Sequence, residues 1–306
     1  MENFHVNVIE MPHALKPPEW VYANPKARAE DIMQAFSDPK IQGIIASIGG
    51  DDSIRLLPYL DLDVIQKNPK VFMGYSDTTV LHFACLKAGI RSFYGPSIMA
   101  GFGENGGLFP YMKDAVFKTV FSNEIISTVP QADSWTVEHS HWENPKKQTV
   151  QRKRETPLGW TCLQGTGVHS GFLIGGCIDV LPMILGTSLW PTIDYFDGAI
   201  LFVETSEEAP PVDDIKRIMR NLGVQGILER LNGILIGRPG GNVQNLRQYD
   251  EGIQTVVRAE FGLADLPIIA QVDFGHTDPM CVLPYGMQTE INCETTSITF
   301  LESGCS

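Results

Sequence analysis

The chain has 306 residues, 43% hydrophobic and 19% charged, and a formal net charge of −13. This composition supplies a core for one large or two ordinary domains and argues against intrinsic disorder. The acidity argues against nucleic acid or an anionic membrane surface as main partner, and no run of about 18 apolar residues offers a membrane-spanning helix.

Strand and helix signals alternate through the first half. "FHVNVIEM" alternates apolar and polar residues and predicts a strand. "NPKARAEDIMQAFSD" predicts a helix with Asn24 as N-cap and Pro25 at its first position. "IQGIIASIGG" predicts a buried strand ending at Gly49 and Gly50, followed by a short helix capped by Asp51 or Asp52. "KVFMGYS" is a second buried strand, and "DTTVLHFACLKAG" a helix closed by Gly89. "IRSFYG" is a third strand and "FPYMKDAVFKTVFS" another helix. This alternation predicts a parallel sheet with helices on both faces, its functional groups gathered at the carboxyl ends of strands.

Composition then shifts to a polar, Pro-containing stretch over residues 123–157, read as a linker or long excursion. It separates an N-terminal α/β domain, residues 1–122, from a C-terminal domain, residues 158–306. In the second half, "GWTCLQGTGVHSGFLIGGCIDVL" suggests short strands and turns. "AILFVETS", "GILIGRPGG" and "PIIAQVDFGHTDP" are strands, "VDDIKRIMRNLG" and "DEGIQTVVRAEFG" helices, and "MQTEINCETTSITFLE" a closing hairpin. The C-terminal domain is therefore mixed α+β.

Six cysteines, at 85, 162, 177, 281, 293 and 305, contain no CxxC pair and read as reduced thiols of a cytosolic chain. Residues 1–11 lack a secretory leader. Lys146, Lys147, Arg152, Lys153 and Arg154 form a basic cluster that reads as a solvated loop.

Ser76 lies where an apolar strand meets a helix. A serine there is a common N-cap; it is also where a nucleophile stands exposed, with backbone N–H groups at hand. His276 sits on the exit loop of an apolar strand, as a general base or a turn residue. Glu204 closes another apolar strand, as an orienting acid or a solvated strand end. Gly49 and Gly50 let backbone approach a ligand, so that the Gly50 and Asp77 N–H groups can form an oxyanion hole; a plain tight turn fits as well. His139 and His141 read as solvated and His82 as packed. No histidine or cysteine spacing suggests a metal, and no glycine-rich phosphate loop is present.

Ser76, Glu204 and His276, in that order, together with "SIGGDDSIRLLPYLD", "KVFMGYSDTTVL", "FYGPSIMAGFGE", "GFLIGGCIDVL", "GAILFVETSE" and "FGHTDPM", resemble the LD-carboxypeptidase family of serine peptidases, which includes the microcin C immunity-type enzymes. The resemblance spans roughly residues 20–300. It implies a flavodoxin- or Rossmann-like N-terminal domain with parallel sheet, and a smaller C-terminal domain that supplies Glu204 and His276. It further implies a cytoplasmic homodimer without cofactor that cleaves an amide bond near a free carboxylate. The roles implied are Ser76 as nucleophile, His276 as general base, Glu204 as its partner, and Gly50 and Asp77 as oxyanion donors.

The long excursion is similar to that of the immunity-type branch, which acts on peptidyl or aminoacyl nucleotides. By that likeness Trp160 would stack on a nucleotide base, with Gly49, Cys177 and Arg238 also lining the substrate site. The alternatives are a muropeptide LD-carboxypeptidase and, in another class, a non-catalytic small-ligand-binding protein. Cys177 stands where the family commonly has Asn. Glu207, Glu208 and Ala209 stand where microcin-cleaving members carry a lysine, and Arg238-Pro239-Gly240-Gly241 where they carry an acidic residue. Family members also begin with a strand and helix ahead of the segment matching "FHVNVIEMPHAL", so the resemblance implies a shortened front.

Overall fold

A computed structural model describes residues 4–138, 144–241 and 245–305. His139 and His141 lie outside the described residues. Three short apolar strands, β1 (Gly43–Ile45), β2 (Val71–Gly74) and β3 (Phe93–Tyr94), pair in parallel. Around them lie α1 (Pro18–Ala23), α2 (Pro25–Ser37), α3 (Leu62–Lys67), α4 (Thr79–Lys87) and α5 (Pro110–Val120). On one side of this sheet, α2 packs Ala29 and Phe36 with Leu56, Ile65, Phe72 and Leu81 in a small separate core.

Helix α4 is buried from Thr79 through Cys85. A short helix apolar on every side belongs between layers rather than on a surface. Its first residue reaches the second sheet, where the Thr79 hydroxyl accepts the Cys177 N–H at 3.1 Å.

The second sheet is larger in strand count. The parallel strands β5 (Val168–Cys177), β6 (Ile200–Glu204), β7 (Gly233–Gly237) and β8 (Ile268–Val272) form its centre. Strand β4 (Thr161–Gln164) pairs antiparallel with β8 on one flank. On the other flank the hairpin β10 (Gln288–Asn292) and β11 (Ser297–Phe300) pairs antiparallel with β5. Strands β6, β7 and β8 are buried at every position, as a sheet covered on both faces requires. Covering elements include α6 (Leu181–Ile184), α7 (Val212–Val224) and α8 (Gln248–Gln254). One further strand, β9 (Leu283–Pro284), returns to the first sheet and pairs antiparallel with β3, so the two halves share a strand layer.

Three sequence expectations are corrected. "FHVNVIEM" forms no strand, and Val8 and Ile9 are 65% and 56% exposed. Alternation fixes a face only where a neighbouring strand takes up the backbone N–H and C=O groups. Neither Asn24 nor Asp52 caps with its side chain: Asn24 Nδ2 donates to Trp20 O, and Asp52 accepts from Arg28 and Arg55.

The excursion is no free linker. Val129, Ala132, Trp135 and Thr136 are buried, and single bridges join Thr128 to Thr299 and Thr136 to Asp278. Within it, Arg152 is not solvated but ion-paired with the nearly buried Glu104 and with Asp278. A guanidinium offers five donors in a fork, which suits it to bridging two carboxylates out of water.

Candidate active site

Strand β2 ends at Gly74, and the chain turns through Tyr75 into a single 3₁₀ turn, Ser76–Thr78, that leads into α4. Ser76 adopts φ 63°, a left-handed conformation costly for a residue with a Cβ. The turn is held by fixed bonds. The Ser76 N–H donates to Tyr94 Oη at 3.0 Å, and Thr79 Oγ1 donates to Ser76 O at 2.7 Å.

The buried Asp77 carboxylate accepts the N–H groups of Asp52 and Ser53 at 3.1 and 2.8 Å, so it pins the loop after β1 against the serine turn. Burial raises the Asp77 pKa, and these hydrogen bonds oppose the rise. The approach is close enough that a Cβ on Gly49 would fall 3.1 Å from Ser76 Oγ and 3.7 Å from the Asp77 nitrogen. A side chain at this position would crowd the serine hydroxyl. Asp77 lies in the first turn, whose N–H groups have no partner within the helix.

Glu204 closes β6 with its side chain fully buried. Oε1 accepts a short hydrogen bond from the Tyr94 hydroxyl, and Oε2 lies 2.6 Å from His276 Nδ1. Gly275, at φ 94°, must be glycine here, since a Cβ would meet Glu204 Oε2 at 2.6 Å. His276 Nε2 lies 3.0 Å from Ser76 Oγ, a contact between residues 200 apart in sequence. Tyr75 stands edge-on to the imidazole, ring centroids 4.9 Å apart. Burial lowers the His276 pKa, but Glu204 and Glu207 outweigh it and raise the pKa to about 10.

Ser76, His276 and Glu204 thus form one continuous chain of contacts, with Gly49, Gly50 and Asp77 alongside. Cys177 closes β5 beside Glu204; burial and then Glu204 push its thiol pKa well up, so the sulfur stays protonated. Among the described residues, Cys177, Glu204 and His276 bring a thiol, a carboxylate and an imidazole within 4.8 Å of one another. The imidazole and carboxylate are already bonded to each other, which leaves little in the cluster to attract a metal.

Trp160 and Arg238 meet at Asp273. The Trp160 ring is buried, and its N–H donates to Asp273 Oδ2 at 2.9 Å. Arg238 is buried too, ion-paired with the other oxygen of Asp273 and covered by the Trp135 ring. Both reach Asp273, and a second Arg238 nitrogen, Nη1, is buried without a hydrogen-bond partner among the described residues. A tryptophan packs inside when its N–H finds an acceptor. Sequence reading missed Tyr94, which bonds both the serine turn and Glu204; its only signal was a position at the end of a strand beside "KVFMGYS". It also missed Glu207, whose Oε2 lies 3.1 Å from His276 Nε2. His82 is packed as expected, both ring nitrogens bonded, to Ser92 Oγ and Gly74 O.

Similarity to known proteins covers both halves of the fold. Residues 1–95 match the LD-carboxypeptidase N-terminal domain and residues 170–291 the C-terminal domain. The chain is 30% identical over 281 residues to the microcin C7 self-immunity protein MccF of Escherichia coli, covering 90% of this chain and 78% of that protein. The crystal structure of an MccF-like protein from Streptococcus pneumoniae in complex with AMP superposes with TM-score 0.86 at 30% identity, covering 98% of this chain and 90% of that one. MccF in complex with aspartyl sulfamoyl adenosine superposes with TM-score 0.79 at 29% identity, covering 92% and 82%. These matches, over both halves of the fold, make the chain a serine peptidase of the LD-carboxypeptidase family.

Proposed function

We propose that the enzyme hydrolyses the amide-type bond of an aminoacyl- or peptidyl-nucleotide, with Ser76 as nucleophile, His276 as general base and Glu204 as its orienting partner. The observation that carries the reading is the unbroken contact chain Ser76 Oγ–His276 Nε2–His276 Nδ1–Glu204 Oε2, at 3.0 and 2.6 Å.

In the first half-reaction Ser76 Oγ attacks the carbonyl carbon and its proton passes to Nε2. The Gly50 and Asp77 N–H groups hold the tetrahedral oxyanion, and Glu204 stabilises the imidazolium. His276 then gives the proton to the leaving nitrogen, whose bond to carbon breaks. In the second half, water attacks the acyl-serine, again losing its proton to His276. The MccF complex with an aminoacyl-sulfamoyl nucleoside supports the substrate class. Six free thiols fit a cytoplasmic enzyme, and the family resemblance carries the homodimer.

The test is hydrolysis of an aminoacyl-sulfamoyl adenosine and of a muropeptide tetrapeptide, side by side, by wild type and Ser76→Ala. Cleavage of the first, lost in the variant, with a fluorophosphonate adduct at Ser76 in wild type, is expected. Undiminished turnover in Ser76→Ala would refute the mechanism, and cleavage of the muropeptide alone would reassign the substrate.

A further inference from the structure

His276 Nε2 faces two oxygen ligands at nearly equal distance, Ser76 Oγ at 3.0 Å and Glu207 Oε2 at 3.1 Å. These contacts compete. A carboxylate has no proton to donate, so it bonds Nε2 only when Nε2 carries one. An imidazole protonated there cannot take the serine proton. With Nε2 deprotonated, its lone pair and the carboxylate repel each other. The basic state of His276 therefore requires the Glu207 carboxylate to leave.

The surroundings allow that movement. The Glu207 side chain is 70% exposed, so its contact with His276 is a weak one that a ligand can replace. The turn that carries it is tied by the Ala209 N–H to Ser206 O at 3.2 Å and by the Ser206 N–H to Asp179 Oδ2 at 2.9 Å, so the movement is one of the side chain.

The charges facing the imidazole say what draws it away. They are Glu204 from β6, Glu207 from the loop after it, and Asp179 from the turn after β5, with the neutral Cys177 and Tyr75 beside them. Asp278, two residues along, is already paired with Arg152. An anionic group on a substrate would meet these three carboxylates, whereas a cation would be received.

We propose that Glu207 is a specificity-determining residue: it rests on His276 in the free enzyme and turns to take a cationic group, a side-chain primary amine, on the acyl part of the substrate. Binding of the preferred substrate thereby frees the general base. The inference rests on the peptidase reading above, and its test separates the two.

Dissociation constants would be measured for lysyl-, norleucyl- and glutamyl-sulfamoyl adenosine on Ser76→Ala protein, which binds without cleaving, carrying Glu207, Glu207→Gln or Glu207→Lys. Lysyl and norleucyl differ chiefly in the charge at the side-chain end. With Glu207 in place, the Ser76→Ala protein is expected to hold the lysyl ligand about fivefold tighter than the norleucyl one, the upper range for a largely exposed ion pair. Glu207→Gln should bring the two to parity, and Glu207→Lys should favour the glutamyl ligand. In parallel, NMR titration of the His276 ring should show its pKa falling in Glu207→Gln. A lysyl-to-norleucyl ratio unchanged in Glu207→Gln, or a His276 titration that does not move, would overturn the proposal. Hydrolysis is read separately on wild type: if no ligand is cleaved, the peptidase reading fails while the binding ratios still decide the role of Glu207.

Discussion

Tyr94 is the sharpest test of how the site is held. Its hydroxyl accepts the Ser76 N–H at 3.0 Å and donates to Glu204 Oε1, so one oxygen ties the strained serine turn to the orienting carboxylate. The ring is fully buried against His82 and Phe202. Burial and then the Glu204 charge push its pKa well up, which keeps the donor proton in place. Tyr94→Phe retains the ring and removes only the oxygen.

Two groups are then left without a partner in a dry site, one of them charged. A hydrogen bond to a charged group is worth about 1.5–3 kcal/mol. If Glu204 and Ser76 lose that much of their positioning in the transition state, kcat/KM falls by about 10- to 150-fold, at 1.36 kcal/mol per tenfold. The assay is kcat/KM on the aminoacyl-sulfamoyl adenosine alongside urea unfolding. Tyr111→Phe serves as control, because that hydroxyl donates to Pro130 O, away from the serine turn and Glu204. Stability should drop in both variants, and activity only in Tyr94→Phe. Wild-type kcat/KM in Tyr94→Phe would refute the idea that this hydroxyl positions the site.

Two further expectations concern stability. Ser76 sits at φ 63°, so Ser76→Gly should be inactive yet more stable than Ser76→Ala by about 1 kcal/mol, as the left-handed strain is relieved; equal urea midpoints would count against strain at the turn. His82 is buried with its pKa lowered, by burial above all, from 6.5 to about 4. The unfolded chain takes up this proton below pH 6.5 while the native state refuses it, so the stabilisation is complete above 6.5 and lost as pH falls through 4. The loss amounts to about 3 kcal/mol. Urea unfolding of wild type and His82→Gln between pH 7.5 and 4 should show a steeper acid decline in wild type, and parallel curves would contradict it.

Most elements were legible in the sequence because their signals are local. Buried β-branched runs mark β2, β6, β7 and β8, and Gly89 at φ 76° closes α4 as expected. The serine, glutamate and histidine were legible because each ends or follows an apolar strand, where a polar group needs a reason. What was not legible depends on partners. "FHVNVIEM" has strand alternation but no neighbour to pair with. The meeting of Trp160 and Arg238 at Asp273 was not legible, a contact spanning 113 residues in one case and 35 in the other. Tyr94 carries no sequence mark that separates it from any strand-end tyrosine.

The excursion shows how composition misleads in the other direction. Its polarity suggested solvent, yet its polar groups go to the loop that carries His276. At the loop's start, Asp273 accepts from the Ala132 N–H of the excursion, and from the Trp160 indole and Arg238 outside it. At its end, Asp278 exchanges backbone hydrogen bonds with Thr136 at 2.7 and 3.0 Å and takes the Arg152 guanidinium, which Glu104 of the first half also holds. His276 lies between these two anchors. A general base has to be held at hydrogen-bond distance from its nucleophile to within about 0.5 Å, and loops are poor at that unless both ends are fixed. Ser76 and His276 come from different sheets, so the segment read as a spacer between domains is what fixes the loop that brings them to 3.0 Å.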